Sequence, residues 1–397
     1  MIWKTLKWYF CMEQESISKT VAIIGAGPAG CTCAKFLQDY LEVSLFDKGK
    51  LLNTILPTGG GRCNLANAEY DFKELTKNYP RGEKFLYSVF SKFSTQDTID
   101  FFKSIGVETY TQENGNRIFP VSNSSKEVRE KLLDSLNCKK IKEEVIKIER
   151  KDGFYKVVTN KSSYAFDYVV ISIGGHSNFD LLKDMGVNII PPTQSLVGLR
   201  TKEDFSSLAG VSLKNIRVEI GNKHYQGDML FTHKGISGPL IYRISSIYAR
   251  TEFSSLKITF VDDFDLQDLL NSNPHKEIKN LIGRLVPHSL GEYLLNKINI
   301  TPNTLCHKIN AQSRNKIYKA LTDFEITIEG KVPDSEVVTC GGVDLKEVNS
   351  QTMEHKVLKG LYFCGEVLDI DGFCGGFNLQ NCWSGAYVAS QSIIQTK

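Results

Sequence analysis

VAIIGAGPAGCTCAKFLQDYLEVSLFD, residues 21–47, reads as strand, glycine turn, helix and second strand. VAIIG is a short β-branched run, Cys31 to Tyr40 is helix-like, and VSLFD is again strand-like. Within the turn Ala26 and Ala29 are small, and each glycine has its own task. Gly25 allows the sharp turn, Gly27 lets the backbone approach a pyrophosphate, and Gly30 lets helix and strand pack closely. The helix N-terminus offers unpaired N–H groups and the positive end of its dipole to phosphates. Asp47 closes the second strand at about the 20-residue offset that places an acid on ribose hydroxyls, and Lys48 follows it. The structural alternative is a tight turn with no ligand. Strand, glycines, helix, strand and acid together favour a dinucleotide site, for NAD or for FAD.

The C-terminal segment favours FAD. GLYFCGE (360–366) reads as a strand ending in Gly365-Glu366, followed by DIDGFCGGFNLQN (369–381) and a helix from about Trp383. A single-site NAD enzyme has no evident use for this late glycine-rich turn, whereas in an FAD enzyme it can reach the flavin half. Backbone N–H groups near Asn378, Leu379 and Gln380 could face the flavin N1–C2=O edge and hold the negative charge of the reduced ring. A glycine-rich connection that serves packing alone is the other reading. No second strand–glycine–helix unit is visible, since YVVISIGG (168–175) ends in Gly174-Gly175 without the fingerprint. NAD(P)H, the expected electron donor, would therefore dock transiently, unless the electrons come from another donor.

The fold class expected is α/β: a discontinuous dinucleotide-binding Rossmann domain with an inserted β-rich domain that carries a small helical insert. Residues 1–19 form a leader, and residues 20–192 the first part of the cofactor domain, with 70–137 mainly helical. The Pro191-Pro192 pair marks the boundary. Residues 193–265 carry short strands with glycine punctuation, 266–321 read helical, 322–334 return to strand, and 335–397 complete the cofactor domain.

The chain has 397 residues, 41% hydrophobic and 23% charged, enough for two or three domains. A formal net charge of +3 neither implies nor opposes nucleic-acid binding. Ten cysteines form no C-x-x-C pair and no metal-ligand cluster, so free thiols in a reducing compartment and no bound metal are expected. Cys31 and Cys33 lie two apart on a helix and do not face each other, which argues against a redox disulfide. The leader MIWKTLKWYFCMEQESISK is too short and too charged to span a membrane. It is either an amphipathic surface helix or a sign that translation starts at Met12, the preferred reading. A soluble, cytoplasmic protein with no membrane partner is expected.

Six motifs, G25AGPAG30, T58GGGRCNLAN67, R117IFPVS122, F231THKGISGP239, T352MEHK356 and G360LYFCGEVLDIDGFCGGFNLQ380, together resemble the BaiN/RdsA-type family of bacterial three-domain flavoproteins, NAD(P)/FAD-dependent enzymes with an aminoacetone-oxidase-like fold. The resemblance runs from about residue 20 to near the end. It implies a glutathione-reductase-type FAD domain with an inserted β-barrel-like domain and a further helical insert. It implies that the Gly25–Gly30 turn and Asp47 hold the ADP half of FAD, and that Gly60, Gly61, Arg62, Cys63 and Asn64 lie along the pyrophosphate and flavin. Val145 would offer backbone bonds to adenine, Gly365, Glu366 and Asp369 would reach the ribityl chain, and Asn378 to Gln380 the isoalloxazine. Thr58, Ala66 and His355 depart from the family pattern.

The resemblance also implies flavin hydride transfer with divergent substrates: a uracil of large-subunit ribosomal RNA, conjugated keto bile acids, or small amines. The ribosomal RNA reading leads, with a small-molecule ene-reductase or amine oxidase second and a non-catalytic flavin-binding protein third. Oligomeric state is not legible. His233, Cys63 and His176 are the candidate catalytic groups: imidazoles titrate near neutrality, and Arg62 could lower the Cys63 thiol pKa. Each has a structural alternative, a loop-fixing histidine or a small packing thiol. Lys77, Tyr79, Arg81, Lys84, Phe85, Tyr87, Lys92 and Phe93 interleave cations with aromatics, as RNA binding requires, or else form an amphipathic helix with a solvated face.

Overall fold

The computed structural model describes residues 19–113, 115–262, 264–333 and 338–396. The leader, with its two possible starts, lies outside the described residues. Short apolar runs drive five strands into one parallel sheet, in the order Leu361–Phe363, Tyr168–Ile171, Thr20–Ile24, Glu42–Phe46, Lys139–Ile141. Its centre is dry: Val21, Ala22, Ile23, Val169 and Val170 have no exposure. Helix Pro28–Leu37 and the last helix, Phe377–Thr396, pack together over it. Parallel strands covered in this way read as near-continuous apolar runs. An antiparallel meander, Val145–Lys151, Phe154–Thr159 and Ser163–Phe166, feeds the strand Tyr168–Ile171.

The stretch 70–137 carries the helices Phe72–Thr76, Glu83–Phe90, Thr95–Ser104 and Ser125–Asp134, interrupted where Thr109–Gln112 and Arg117–Pro120 form a hairpin that also pairs with Ala66–Asn67. Gly115 and Asn116 both take positive φ in its turn, a conformation that closes a hairpin and breaks a helix. The last helix begins at Phe377 rather than near Trp383. Gly375 and Gly376 adopt φ of 142° and 97° and turn the chain directly into it.

Pro191-Pro192 sit inside a strand, Ile189–Ser195, that pairs antiparallel with Val338–Val343. The register shifts between Ile190 and Thr193 because neither proline can donate to the ladder. Opposite them a Cβ on Gly341 would lie 2.7 Å from the Pro191 carbonyl oxygen. Beyond this ribbon six antiparallel strands close a barrel, in the order Leu199–Thr201, Gly235–Ser237, Lys223–Thr232, Ser212–Ile220, Ser255–Thr259, Phe324–Lys331. Val218, Phe231, Ile236, Ile258 and Ile326 are fully buried there. Four helices, Leu266–Asn271, Ile278–Ile282, His288–Lys297 and Ala311–Thr322, are threaded between the last two barrel strands and extend the same apolar cluster.

Gly376 combines positive φ with a Cβ position that collides with the Ala66 carbonyl oxygen, whereas Gly186 has φ of 80° and open space around its Cβ position. Gly376→Ala is therefore expected to cost about 3 kcal/mol or more, against about 1–2 kcal/mol for Gly186→Ala, where only the backbone conformation is adverse. Urea unfolding of the two variants measures the difference, and equal losses would remove the close approach as its cause.

Candidate active site

All four parallel strands that end in a motif residue deliver it to the same carboxyl edge of the sheet: Gly25 after Ile24, Asp47 after Phe46, Gly174 after Ile171 and Gly365 after Phe363. Ligands of open α/β sheets bind at that edge. A Cβ on Gly25 would lie 2.5 Å from the Ser172 carbonyl oxygen, and one on Gly30 would collide with the Gly25 carbonyl. The Ser172 hydroxyl donates to the carbonyls of Ile24 (3.1 Å) and Gly25 (2.8 Å), so the neighbouring strand fastens the turn. Gly27 caps helix Pro28–Leu37 without a side-chain bond, and Cys31 N–H makes the first intrahelical bond, 3.0 Å to Gly27 O. The N–H groups of Ala29 and Gly30 thus lack intrahelical partners and suit an anion. Asp47 accepts from Ala26 N–H (2.8 Å) and Gly49 N–H (2.6 Å), leaving about two of its four acceptor positions for hydroxyls. Lys48 turns to Glu144, 2.9 Å away. Val145 opens its strand beside a register shift, where backbone groups leave the ladder.

Two glycine-rich loops meet across this edge. With its amide oriented to match donor with acceptor, Asn64 donates to Ala66 O and accepts from Gly376 N–H, both at 3.0 Å. Asn67 donates to Gly375 O at 3.2 Å. Asn378 accepts from Gly372 N–H (2.8 Å) and donates to Gly372 O (2.9 Å). Gly365 brings the end of its strand against the first helix, where an added Cβ would lie 2.8 Å from the Ala29 Cβ. The first bond of the last helix runs from Gln380 N–H to Gly376 O, 3.0 Å. Asn378 and Leu379 therefore keep N–H groups without intrahelical partners, but Gln380 does not. Its side chain is buried as well, donating to Ser94 O, Thr98 and Ser384. The expectation that Gln380 presents a backbone donor to the flavin is corrected. Asp369 is ion-paired with Arg250, so its carboxylate is already engaged.

The expected lowering of the Cys63 thiol pKa is also corrected. Cys63 is fully buried, and burial pushes its thiol up to about 12. Arg62 faces the Phe119 ring, 4.1 Å from its centroid, and donates to Gly59 O. His176 is exposed just beyond Gly174-Gly175, and His233 is exposed on the turn between barrel strands Lys223–Thr232 and Gly235–Ser237. The three candidates thus stand on three different elements.

The interleaved run from Lys77 to Phe93 is divided between surface and core, with Lys77, Lys84, Tyr87 and Lys92 exposed. Tyr79 and Phe93 are core residues, Lys77 pairs with Glu74, Lys92 donates to Gln351 O, and Arg81 is ion-paired with Asp371. That Arg81–Asp371 pair, with Ser195 and Ser246, is a feature that sequence reading missed. Its partners lie 290 positions apart, and no local spacing joins them.

Residues 19–392 match the HI0933-like protein Rossmann domain family. The chain belongs to this family. It is 29% identical, over 94% of its length and 98% of the relative's, to a ribosomal RNA dihydrouridine synthase of Escherichia coli K12. It is 28% identical, over 94% and 99%, to a 3-dehydro-bile acid delta(4,6)-reductase of Clostridium scindens. Its fold is similar to that of a 3-ketosteroid delta1-dehydrogenase from Sterolibacterium denitrificans, with a TM-score of 0.50, 11% identity, and coverage of 96% of this chain and 100% of that one.

A Rossmann domain binds a dinucleotide at this edge, and the chain's own geometry fits the FAD that its sequence predicts. A Cβ on Gly60, Gly61 or Gly174 would meet nothing within 4 Å, and one on Gly27 nothing nearer than Thr54 Oγ1 at 3.8 Å, so these cradles are bare backbone open to a ligand. Among the described residues no His/Cys/Asp/Glu cluster could hold a metal, and no helix is long and apolar enough to cross a membrane.

Glu366 carries the site's most telling charge. Its carboxyl has no hydrogen-bond partner among the described residues, and desolvation, aided by Asp371, pushes its pKa up to about 7 from 4.5. Folded protein then binds this proton more tightly than unfolded chain does. The resulting stability is fully present below about pH 4.5 and is lost as pH rises through about 7. The melting temperature of cofactor-free protein is expected to fall between about pH 5 and about pH 8, and Glu366→Gln to flatten that fall. An unchanged slope in the variant would assign the titration elsewhere.

Proposed function

We propose that this enzyme reduces the carbon–carbon double bond of a uracil in large-subunit ribosomal RNA, giving dihydrouridine. The observation that carries the reading is the likeness to a ribosomal RNA dihydrouridine synthase across 94% of the chain and 98% of that relative. The bile acid relative is named a delta(4,6)-reductase, which supports reduction of a polarised double bond as the shared chemistry.

Bound FAD would supply hydride transfer to the substrate carbon. The rest falls to the protein. Gly25, Ala26, Gly27, Ala29 and Gly30 would hold the pyrophosphate, Asp47 the ribose and the Val145 backbone the adenine. Gly60, Gly61, Arg62, Asn64 and Gly174 would line the middle of the cofactor, and Gly365 and Glu366 the ribityl chain. The free N–H groups of Asn378 and Leu379, at the positive end of a 20-residue helix, would hold negative charge on the pyrimidine edge of the ring. NAD(P)H is the proposed reductant. His176 and His233 are the proposed proton sources, since exposed imidazoles can re-protonate from solvent.

Deleting the gene and measuring dihydrouridine in large-subunit ribosomal RNA by mass spectrometry tests the reading. Loss of a dihydrouridine that a plasmid copy restores is the expected outcome. An unchanged content would sink the ribosomal RNA substrate and leave a small-molecule ene-reductase, to be assayed by anaerobic reoxidation of the reduced flavin with conjugated ketones.

A further inference from the structure

Asp371 has no exposed surface, and a buried carboxylate is tolerated only when its acceptor positions are filled. Four donors fill them. Arg81 binds both carboxylate oxygens through Nε and Nη2, and the hydroxyls of Ser195 and Ser246 donate to Oδ2 at 2.7 and 3.2 Å. Arg81 also donates through Nη1 to Ser246 O at 2.8 Å and through Nη2 to Ser246 Oγ at 2.9 Å. These groups come from separate places in the fold. Arg81 precedes helix Glu83–Phe90, Ser195 ends the proline ribbon, Ser246 is on helix Pro239–Ile247 of the barrel, and Asp371 opens the glycine loop that leads into Asn378.

The same barrel helix reads that loop along one face. Arg243 stands 5.2 Å from the centroid of the Phe373 ring, Ser246 meets Asp371, and Arg250, just past the helix, pairs with Asp369. From the other side Asn78 O accepts from Phe373 N–H at 2.9 Å, and the backbones of Arg81 and Asp371 bridge. Replacing a buried ion pair with apolar side chains is commonly neutral or stabilising, so net stability is weak grounds for such a pair. Direction is a better account, because a guanidinium fork with four fixed bonds holds three elements in one relative geometry.

We propose that Arg81 is a positioning residue for the flavin, locking the loop Asp369–Gly376 to the barrel so that the N–H groups of Asn378 and Leu379 stay aimed at the cofactor. The consequence is that barrel placement and flavin environment are coupled. The inference stands on FAD binding and not on the identity of the substrate.

The test uses purified full-length holoprotein with Arg81→Lys, Ser195→Ala and Ser246→Ala. Wild-type protein is measured first, and failure of wild type to bind FAD would remove the cofactor reading itself. Arg81→Lys keeps the charge but loses the fork. It is expected to raise the FAD dissociation constant about tenfold, alter the visible circular dichroism of the bound flavin and move its midpoint potential. A tenfold change in relative affinity for reduced and oxidised flavin corresponds to about 30 mV. The serine variants are expected to move the same signals by about threefold or less in affinity terms. A fall in melting temperature with unchanged affinity, visible circular dichroism and potential would show a structural role only and overturn the proposal. If Arg81→Lys fails to fold, the two serine variants decide: both spectra and both potentials identical to wild type overturn it.

Discussion

The approach of one backbone to another at the first glycine turn is the constraint on which the site depends. Gly30 lies against the carbonyl of Gly25, and Gly25 against that of Ser172, so closely that neither position accepts a side chain. This contact sets the first helix directly on the sheet and points its unpaired N–H groups at the carboxyl edge. Gly365, pressed against Ala29, ties the end of the outermost strand to the same helix. Every other part of the cofactor cradle is arranged around that junction.

Packing and polarity then divide the work. Thiols behind the cradle are held in the un-ionised form, Cys63 and Cys382 by burial, and Cys364 by a hydrogen bond with Cys33 and then by burial. They act as small apolar fillers rather than as nucleophiles. Charged groups at the barrel face are instead paired with care. Arg81 and Arg250 take the two aspartates of the loop, while Lys331 donates to Gln194 O and Ala249 O at 2.7 and 2.9 Å. Glu366 is left as the acid without a cation, which is why its proton is held to unusually high pH.

The barrel is an inserted unit tied to the glycine loop by the bonds of helix Pro239–Ile247 and its flank. Loops on such an inserted unit can change while the cofactor geometry is kept.

Much of this was written locally. The strand–turn–helix of residues 21–47, the single fingerprint, the barrel strands and the helices threaded between them are all short-range patterns, because glycine spacing and apolar periodicity report the backbone beside them. Where neighbours in space are distant in the chain, local pattern misled or was silent. The run from Lys77 to Phe93 looked like a basic, aromatic face, yet Tyr79 and Phe93 are core and Arg81 belongs to a carboxylate 290 positions away. Cys63 beside Arg62 looked activated, yet the guanidinium turns to Phe119 and burial dominates the thiol. Chain-local features follow from steric rules acting over a few residues. Ionisation and pairing follow from desolvation and from partners that come within reach only after the chain has closed on itself.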